Sequence, residues 1–160
     1  MIAISYLLFL LHRVINMKIN NFIICDDIRD EVNRKTSLMG IYNGRISIRT
    51  ADRSKLNFPL MMPMLSFYLN LSVDDGDQWP SACKLELLHS EHPPFDPVLA
   101  IKPSKDNVII VKYRVAPFSL YEGDYIVRFS LLDAERNVLY SLPDQSFTVS
   151  IQETPSAVVE

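Results

Sequence analysis

Leu65-Ser66-Phe67-Tyr68-Leu69-Asn70-Leu71-Ser72-Val73 decides the fold class of this chain. Every odd position is large and apolar, and three of the four even ones are Ser or Asn. Successive side chains of a strand point to opposite faces. A period of two therefore predicts a half-buried strand with Leu65, Phe67, Leu69, Leu71 and Val73 toward a core. Asp74-Asp75-Gly76-Asp77 follows at once, and an Asp-Gly step supplies the positive φ of a tight turn. Alternation resumes at Cys83-Lys84-Leu85-Glu86-Leu87, which predicts a hairpin across that loop.

The same pattern extends in both directions. Val108 to Val115 (VIIVKYRV) is rich in β-branched residues, with Lys112 and Arg114 marking its wet face. Tyr125, Val127, Phe129 and Leu131 share one face of the next strand, Asp133 to Asn137 is a polar turn, and Val138 to Leu142 returns. Phe147 to Ile151 closes the series. Toward the start, Asn21 to Cys25 is apolar enough for a buried strand. Thr36 to Tyr42 and Arg45 to Ile48 flank Asn43-Gly44, a strong hairpin signal. Ser90 to Pro97 holds three prolines and reads as a surface excursion, followed by a brief edge strand at Val98 to Ile101.

No segment shows three turns of helical periodicity, so the long crossovers of a parallel sheet are missing. The expectation is all-β: an antiparallel immunoglobulin-like β-sandwich of about eight strands, with a β-barrel as runner-up because period two cannot separate the two. One domain suits the 160 residues. Its expected bounds are 17-152, after an apolar leader at 1-16 and before a disordered tail at 153-160.

Met1 to Leu11 (MIAISYLLFLL) is apolar, but no Lys or Arg precedes it and no small-x-small cleavage site follows. Met17-Lys18-Ile19 reads as the start of the functional chain. A cytoplasmic location follows, with export as the alternative if the leader acts as a signal. Cys25 and Cys83, the two cysteines, lack any CxxC or Cys/His spacing and read as core residues; a Cys25–Cys83 bridge belongs to the export alternative.

Nineteen acidic against sixteen basic side chains leave a net charge of −3, which argues against a general nucleic-acid binder. A membrane role is not expected. Arg29, Arg34, Lys35, Arg45, Arg49, Arg53 and Lys55 are interleaved with acids and read as a mixed solvated surface. There is no GxSxG, HExxH or phosphate loop, so no catalytic residue is assigned and no cofactor is expected. The candidate metal ligands are Asp26, Asp27, Asp74, Asp75 and Asp77, because calcium takes several oxygens from neighbouring loops. His89 and His92 sit three apart, but Pro93 and Pro94 deny them the helix that would aim both at zinc. Trp79, Phe95 and His92 are the candidate interaction residues, aromatic groups of the kind enriched at interfaces.

Two stretches carry resemblances. Phe22-Ile23-Ile24-Cys25-Asp26-Asp27-Ile28-Arg29-Asp30-Glu31, then Lys35-Thr36-Ser37-Leu38-Met39-Gly40-Ile41-Tyr42, resembles the opening of a family of small uncharacterised bacterial proteins. Where that family has a Gly before the Lys, this chain has Arg34. The resemblance implies a bacterial β-sandwich and supplies no catalytic residue. Tyr121-Glu122-Gly123-Asp124-Tyr125 is similar to the turn into the closing strands of immunoglobulin-like sandwiches, where an aromatic plugs the end of the core. The function expected is a non-enzymatic module for an unknown protein partner. The alternatives are a calcium- or small-ligand-binding sandwich domain and an enzyme whose site the sequence does not show.

Overall fold

In the computed structural model, which describes residues 17–104 and 106–154, the strand at Leu65 buries the face its alternation predicts. Leu65, Phe67, Leu69 and Leu71 have no exposed surface, and Val73 keeps 5%. Twelve strands run through the described residues: β1 (Lys18–Asp30), β2 (Thr36–Tyr42), β3 (Arg45–Thr50), β4 (Leu60–Met62), β5 (Leu65–Ser72), β6 (Ala82–Leu88), β7 (Val98–Ala100), β8 (Val108–Val115), β9 (Phe118–Leu120), β10 (Gly123–Leu132), β11 (Val138–Ser141) and β12 (Gln145–Glu153). The first sheet has the order β2-β1-β5-β8. The second has the order β3-β12-β10-β6-β7, with β11 also on β10, while β4 and β9 form a small third sheet.

The chain is therefore all-β, a sandwich held by rings that meet between the sheets. Phe22 on β1 and Tyr113 on β8 reach Phe129 on β10, at centroid distances of 5.6 and 6.3 Å. Phe67 on β5 reaches Phe147 on β12 at 6.4 Å. Each contact joins a strand of one sheet to a strand of the other, the arrangement that buries both inner faces. No ladder joins the two sheets among the described residues, which distinguishes this architecture from a closed barrel.

Both expected hairpins turn out to be crossings between sheets. Asp74 to Asp77 leads from β5 in the first sheet to β6 in the second, and Asn43-Gly44 leads from β2 to β3 in the same way. Local turn chemistry states that the chain reverses, and it does not state which sheet receives the next strand. One pairing also departs from the antiparallel expectation: β3 lies parallel to β12, with Arg45 opposite Thr148. The crossing delivers β3 to the open edge of β12, where Thr148 N–H donates to Gly44 C=O at 3.0 Å. At the chain end β12 continues to Glu153, and Thr154 N–H donates to Thr50 C=O at 2.9 Å. The leader at 1-16 and residues 155–160 of the expected tail lie outside the described residues.

The turn into β10 is built around Tyr125, which has no exposed surface. Its hydroxyl accepts from Tyr121 N–H at 2.8 Å and donates to Tyr121 C=O at 3.3 Å. The buried phenol thus satisfies both backbone groups of a residue four positions upstream. The ring stacks on Phe147 at 4.6 Å on one side and on His89 at 4.3 Å on the other. His89 approaches so closely that a Cβ on Gly123, at φ +126, would lie 3.0 Å from its Nε2. Replacing Tyr125 by Phe keeps the stack and strands the Tyr121 N–H. A loss of about 1 kcal/mol is expected, read as a lower urea midpoint, since the part-buried donor loses its partner.

Candidate functional site

The acidic residues do not converge. β1 and β5 are antiparallel with Lys18 opposite Ser72 and Cys25 opposite Ser66. Asp26 and Asp27 therefore sit near the Leu65 end of β5, whereas Asp74, Asp75 and Asp77 follow its other end. Nine residues of strand separate them, roughly 30 Å at about 3.3 Å per residue. The joint calcium site is thus corrected by register.

Each acid also has a structural role. Asp26 accepts from the Tyr42 hydroxyl, and Asp27 pairs with Arg29 at 2.9 Å. Asp75 accepts from the Asn107 amide, and Asp77 N–H donates to Asp74 C=O at 3.1 Å. Among the described residues, no group of three or more His, Cys, Asp or Glu is placed to hold a metal. Thermal unfolding is expected at the same temperature in millimolar calcium and in chelator; a stabilisation that Asp26→Asn or Asp75→Asn abolishes overturns this.

The two thiols are free and buried in different surroundings. Cys83 belongs to the core between the sheets, and Cys25 does not. Burial, aided by the charges of Asp26 and Asp27, pushes the Cys25 thiol up from 9.0 to about 11. Burial alone pushes Cys83 up to about 12. Nucleophilic and metal-binding cysteines need the thiolate, which both environments disfavour.

The histidines are held as part of the wall. His89 Nδ1 accepts from Glu91 N–H at 3.1 Å, so its Nε2 carries the proton given to Glu122 C=O at 3.1 Å. His92 Nδ1 lies 2.7 Å from Pro93 C=O, which can only accept, and its ring stacks on Phe118 at 5.4 Å. Phe95 bridges to Leu87, whose N–H donates to the Phe95 C=O at 3.0 Å. Trp79 is half-buried against the core with its Nε1 enclosed. Trp79, Phe95 and His92 are thus each partly buried in the wall of the sandwich. Native tryptophan emission should be blue-shifted and poorly quenched by acrylamide; emission like that of free tryptophan in water overturns the placement.

The basic residues of the first third are likewise interleaved with acids. Arg53 pairs with Glu122 and Lys55 with Asp52, the latter at 3.4 Å.

An unused feature lies at the side of the sandwich. β8 ends the first sheet and β7 ends the second, and the two face each other across a groove. Two cavities of about 640 and 490 Å³ share Leu99 and Lys112, so the groove follows β8 from Val108 to Ala116. Its open edge can be read from register. Val73 N–H donates to Asn107 C=O at 2.9 Å, and Ser72 stands opposite Val108. Hydrogen-bonded pairs recur at every second residue of an antiparallel ladder, so Ile109, Val111, Tyr113 and Val115 bond to β5. The backbone N–H and C=O groups of Val108, Ile110, Lys112 and Arg114 point away from it. Among the described residues no strand pairs with them.

On the outer face, Lys112 donates to Asp30 and to Thr36 Oγ1, the latter at 2.9 Å. Arg114 Nε donates to Ile28 C=O at 2.8 Å, and its Nη2 lies 3.4 Å from Asp30. The Lys112 hydrogen bond, with help from Arg114, holds the Asp30 carboxyl below its usual range. The sequence shows the strand and its wet face. It does not show that β8 is an edge, because that depends on β5 being its sole paired neighbour among the described residues.

No family model matches the chain, and no curated protein does. Among solved structures it is similar to CopC from Methylosinus trichosporium OB3b, at 16% identity over 69% of this chain and 89% of that one, with a TM-score of 0.30. A likeness this slight carries no argument about function.

Proposed function

We propose that the protein is a non-enzymatic β-sandwich module that binds a protein partner through the open edge of β8. The supporting observation is the eight-residue edge strand with its outward backbone groups and the adjoining groove. The chemistry-bearing side chains point the same way: the thiols are kept protonated, the histidines are engaged with backbone, and the acids serve turns and ion pairs. Recognition by strand addition draws affinity from main-chain bonds and specificity from neighbouring side chains, and it needs no catalytic constellation. Kinship with the small bacterial sandwich proteins that share the Cys-Asp-Asp opening, an immunoglobulin-like topology and a reducing cytoplasmic setting complete the proposal.

Ile110→Pro tests it. Ile110 is 49% exposed and its N–H points outward, and proline is tolerated in strands where that N–H faces solvent. Tagged wild-type and Ile110→Pro chains, both folded by circular dichroism, are crosslinked in extracts of the native host. A partner crosslinked to β8 in the wild type and lost in the variant is expected. Identical partner sets for the two chains refute the edge as the binding surface.

A further inference from the structure

The groove beside β8 is charged unlike the rest of the chain. The protein carries a net −3, yet the groove lining holds Lys102, Lys112 and Arg114 and no carboxylate. Asp30, outside the lining, pairs with both Lys112 and Arg114, and one carboxylate offsets only one of the two. Lys102 is exposed at the end of the groove. Its inner side is apolar, formed by Leu99 and Ile101 facing Ile109 and Val111.

We propose that β8 accepts an extended segment in which acidic and apolar residues alternate. The inference rests on the edge-binding reading above and names the chemistry of the partner. A strand added to β8 forms main-chain bonds with Val108, Ile110, Lys112 and Arg114. Its side chains alternate between the two faces of the extended sheet. Those on the outer face stand beside Lys112 and Arg114, where carboxylates are favoured and cations repelled. Those on the inner face enter the groove against Leu99, Ile101 and Val111, where apolar side chains leave water. The edge spans eight residues, about 27 Å at about 3.4 Å per residue, which sets the length of the motif.

A second copy of β8 fits this edge less well. Pairing two β8 strands brings two Lys112, two Arg114 and only two Asp30 onto one face, and like charges set across a ladder are unfavourable. Lys112 and Arg114 thus also serve to keep identical edges apart, a common use of cations on edge strands.

The test uses the full chain, residue-resolved amide exchange by NMR, and two eight-residue peptides, one alternating Glu and Val and the other Lys and Val. With the Glu–Val peptide at saturation and low salt, the amides of Ile110 and Lys112 should exchange about tenfold more slowly. Those of Ile109 and Val111, already bonded to β5, should not change. The Lys–Val peptide should give no slowing, and Arg114→Gln should weaken Glu–Val binding by about fivefold, the upper range for an exposed charge contact.

Three results overturn the inference: no slowing at even positions, equal slowing by both peptides, or slowing that rises with protein concentration alone, which assigns the edge to a second copy. A host partner that depends on Ile110 while the Glu–Val peptide fails refutes the acidic motif and leaves the edge reading standing. A partner set indifferent to Ile110→Pro refutes the edge reading itself.

Discussion

Gly40→Ala is expected to lower the urea midpoint of unfolding by roughly 1 M, whereas Gly44→Ala lowers it by about 0.5 M, for urea m-values of about 1–3 kcal/mol/M. Both glycines have left-handed backbone, with φ of +63 and +70. An L side chain costs about 1–2 kcal/mol in that region, and this part of the penalty is common to the two. They differ in surroundings. A Cβ at Gly44 meets nothing within 4 Å, while one at Gly40 falls on the Asp26 carboxylate, 2.6 Å from its Cγ. Asp26 lies across Gly40 to accept from the Tyr42 hydroxyl, so an alanine must expel it and break that bond. The exposed Asp26 side chain turns aside, and the lost bond adds about 0.5–1.5 kcal/mol.

The double variant Asp26→Ala/Gly40→Ala isolates the second part. With the carboxylate gone, alanine at 40 should cost no more than alanine at 44, a coupling of about 1 kcal/mol between the two sites. Equal losses at 40 and 44 in the parent chain would sink the account. The outcome bears on the Cys-Asp-Asp … Gly-x-Tyr resemblance as well. Asp26, Gly40 and Tyr42 are three residues of that pattern, and they meet in one contact between β1 and β2. In this chain those three residues fasten the edge strand β2 to β1.

What the sequence reveals and conceals divides along a physical line. Period two is a local property, so the buried faces at Leu65 to Val73 and at Tyr125 to Leu131 are legible from side-chain type alone. Sheet membership is not local. Asp75-Gly76 and Asn43-Gly44 both turn the chain, but whether the next strand pairs with the last or crosses the core depends on which partner edge is open. The parallel β3–β12 pair is the clearest case, joining residues about a hundred positions apart. The candidate site follows the same division. Asp26 and Asp75 look alike as acidic loop residues until register sets them at opposite ends of β5. Lys112 and Arg114 are recognisable as a wet face, yet their value lies in β8 being an edge, which only the complete sheet order discloses. The turn at Gly123 and the buried ring of Tyr125 are legible because both are local, whereas the hydroxyl's bonds to Tyr121 are not shown by residue type.

Stability should fall by at least about 4 kcal/mol between pH 9 and pH 11, in the range where several buried groups withhold protons. Burial raises Cys83 from 9.0 to about 12, Tyr125 from 10.0 to about 12 and Cys25 from 9.0 to about 11. It raises Tyr113 and Tyr42 as well. A folded-state value above the unfolded one means that the unfolded chain releases its proton first. Stability is then full below about pH 9 and declines as pH climbs through the raised values.

Each withheld proton is worth about 1.4 kcal/mol per pH unit, so Cys83 alone accounts for more than 2 kcal/mol over two units. The tyrosines contribute less because their ordinary value of 10.0 lies a unit above that of a thiol, so the unfolded chain keeps their protons through the first half of the range. Ionisation also acts on the architecture. The Tyr113 hydroxyl donates to Cys83 C=O, linking β8 of the first sheet to β6 of the second, and a phenolate cannot make that bond. Urea midpoints at pH 8, 9, 10 and 11 measure the slope, and Cys83→Ala should flatten it by about 1.4 kcal/mol per pH unit after allowing for a uniform packing loss. A parallel curve for Cys83→Ala shows that the thiol does not carry the linkage. A remaining slope that Tyr113→Phe removes then assigns it to the bond between the sheets.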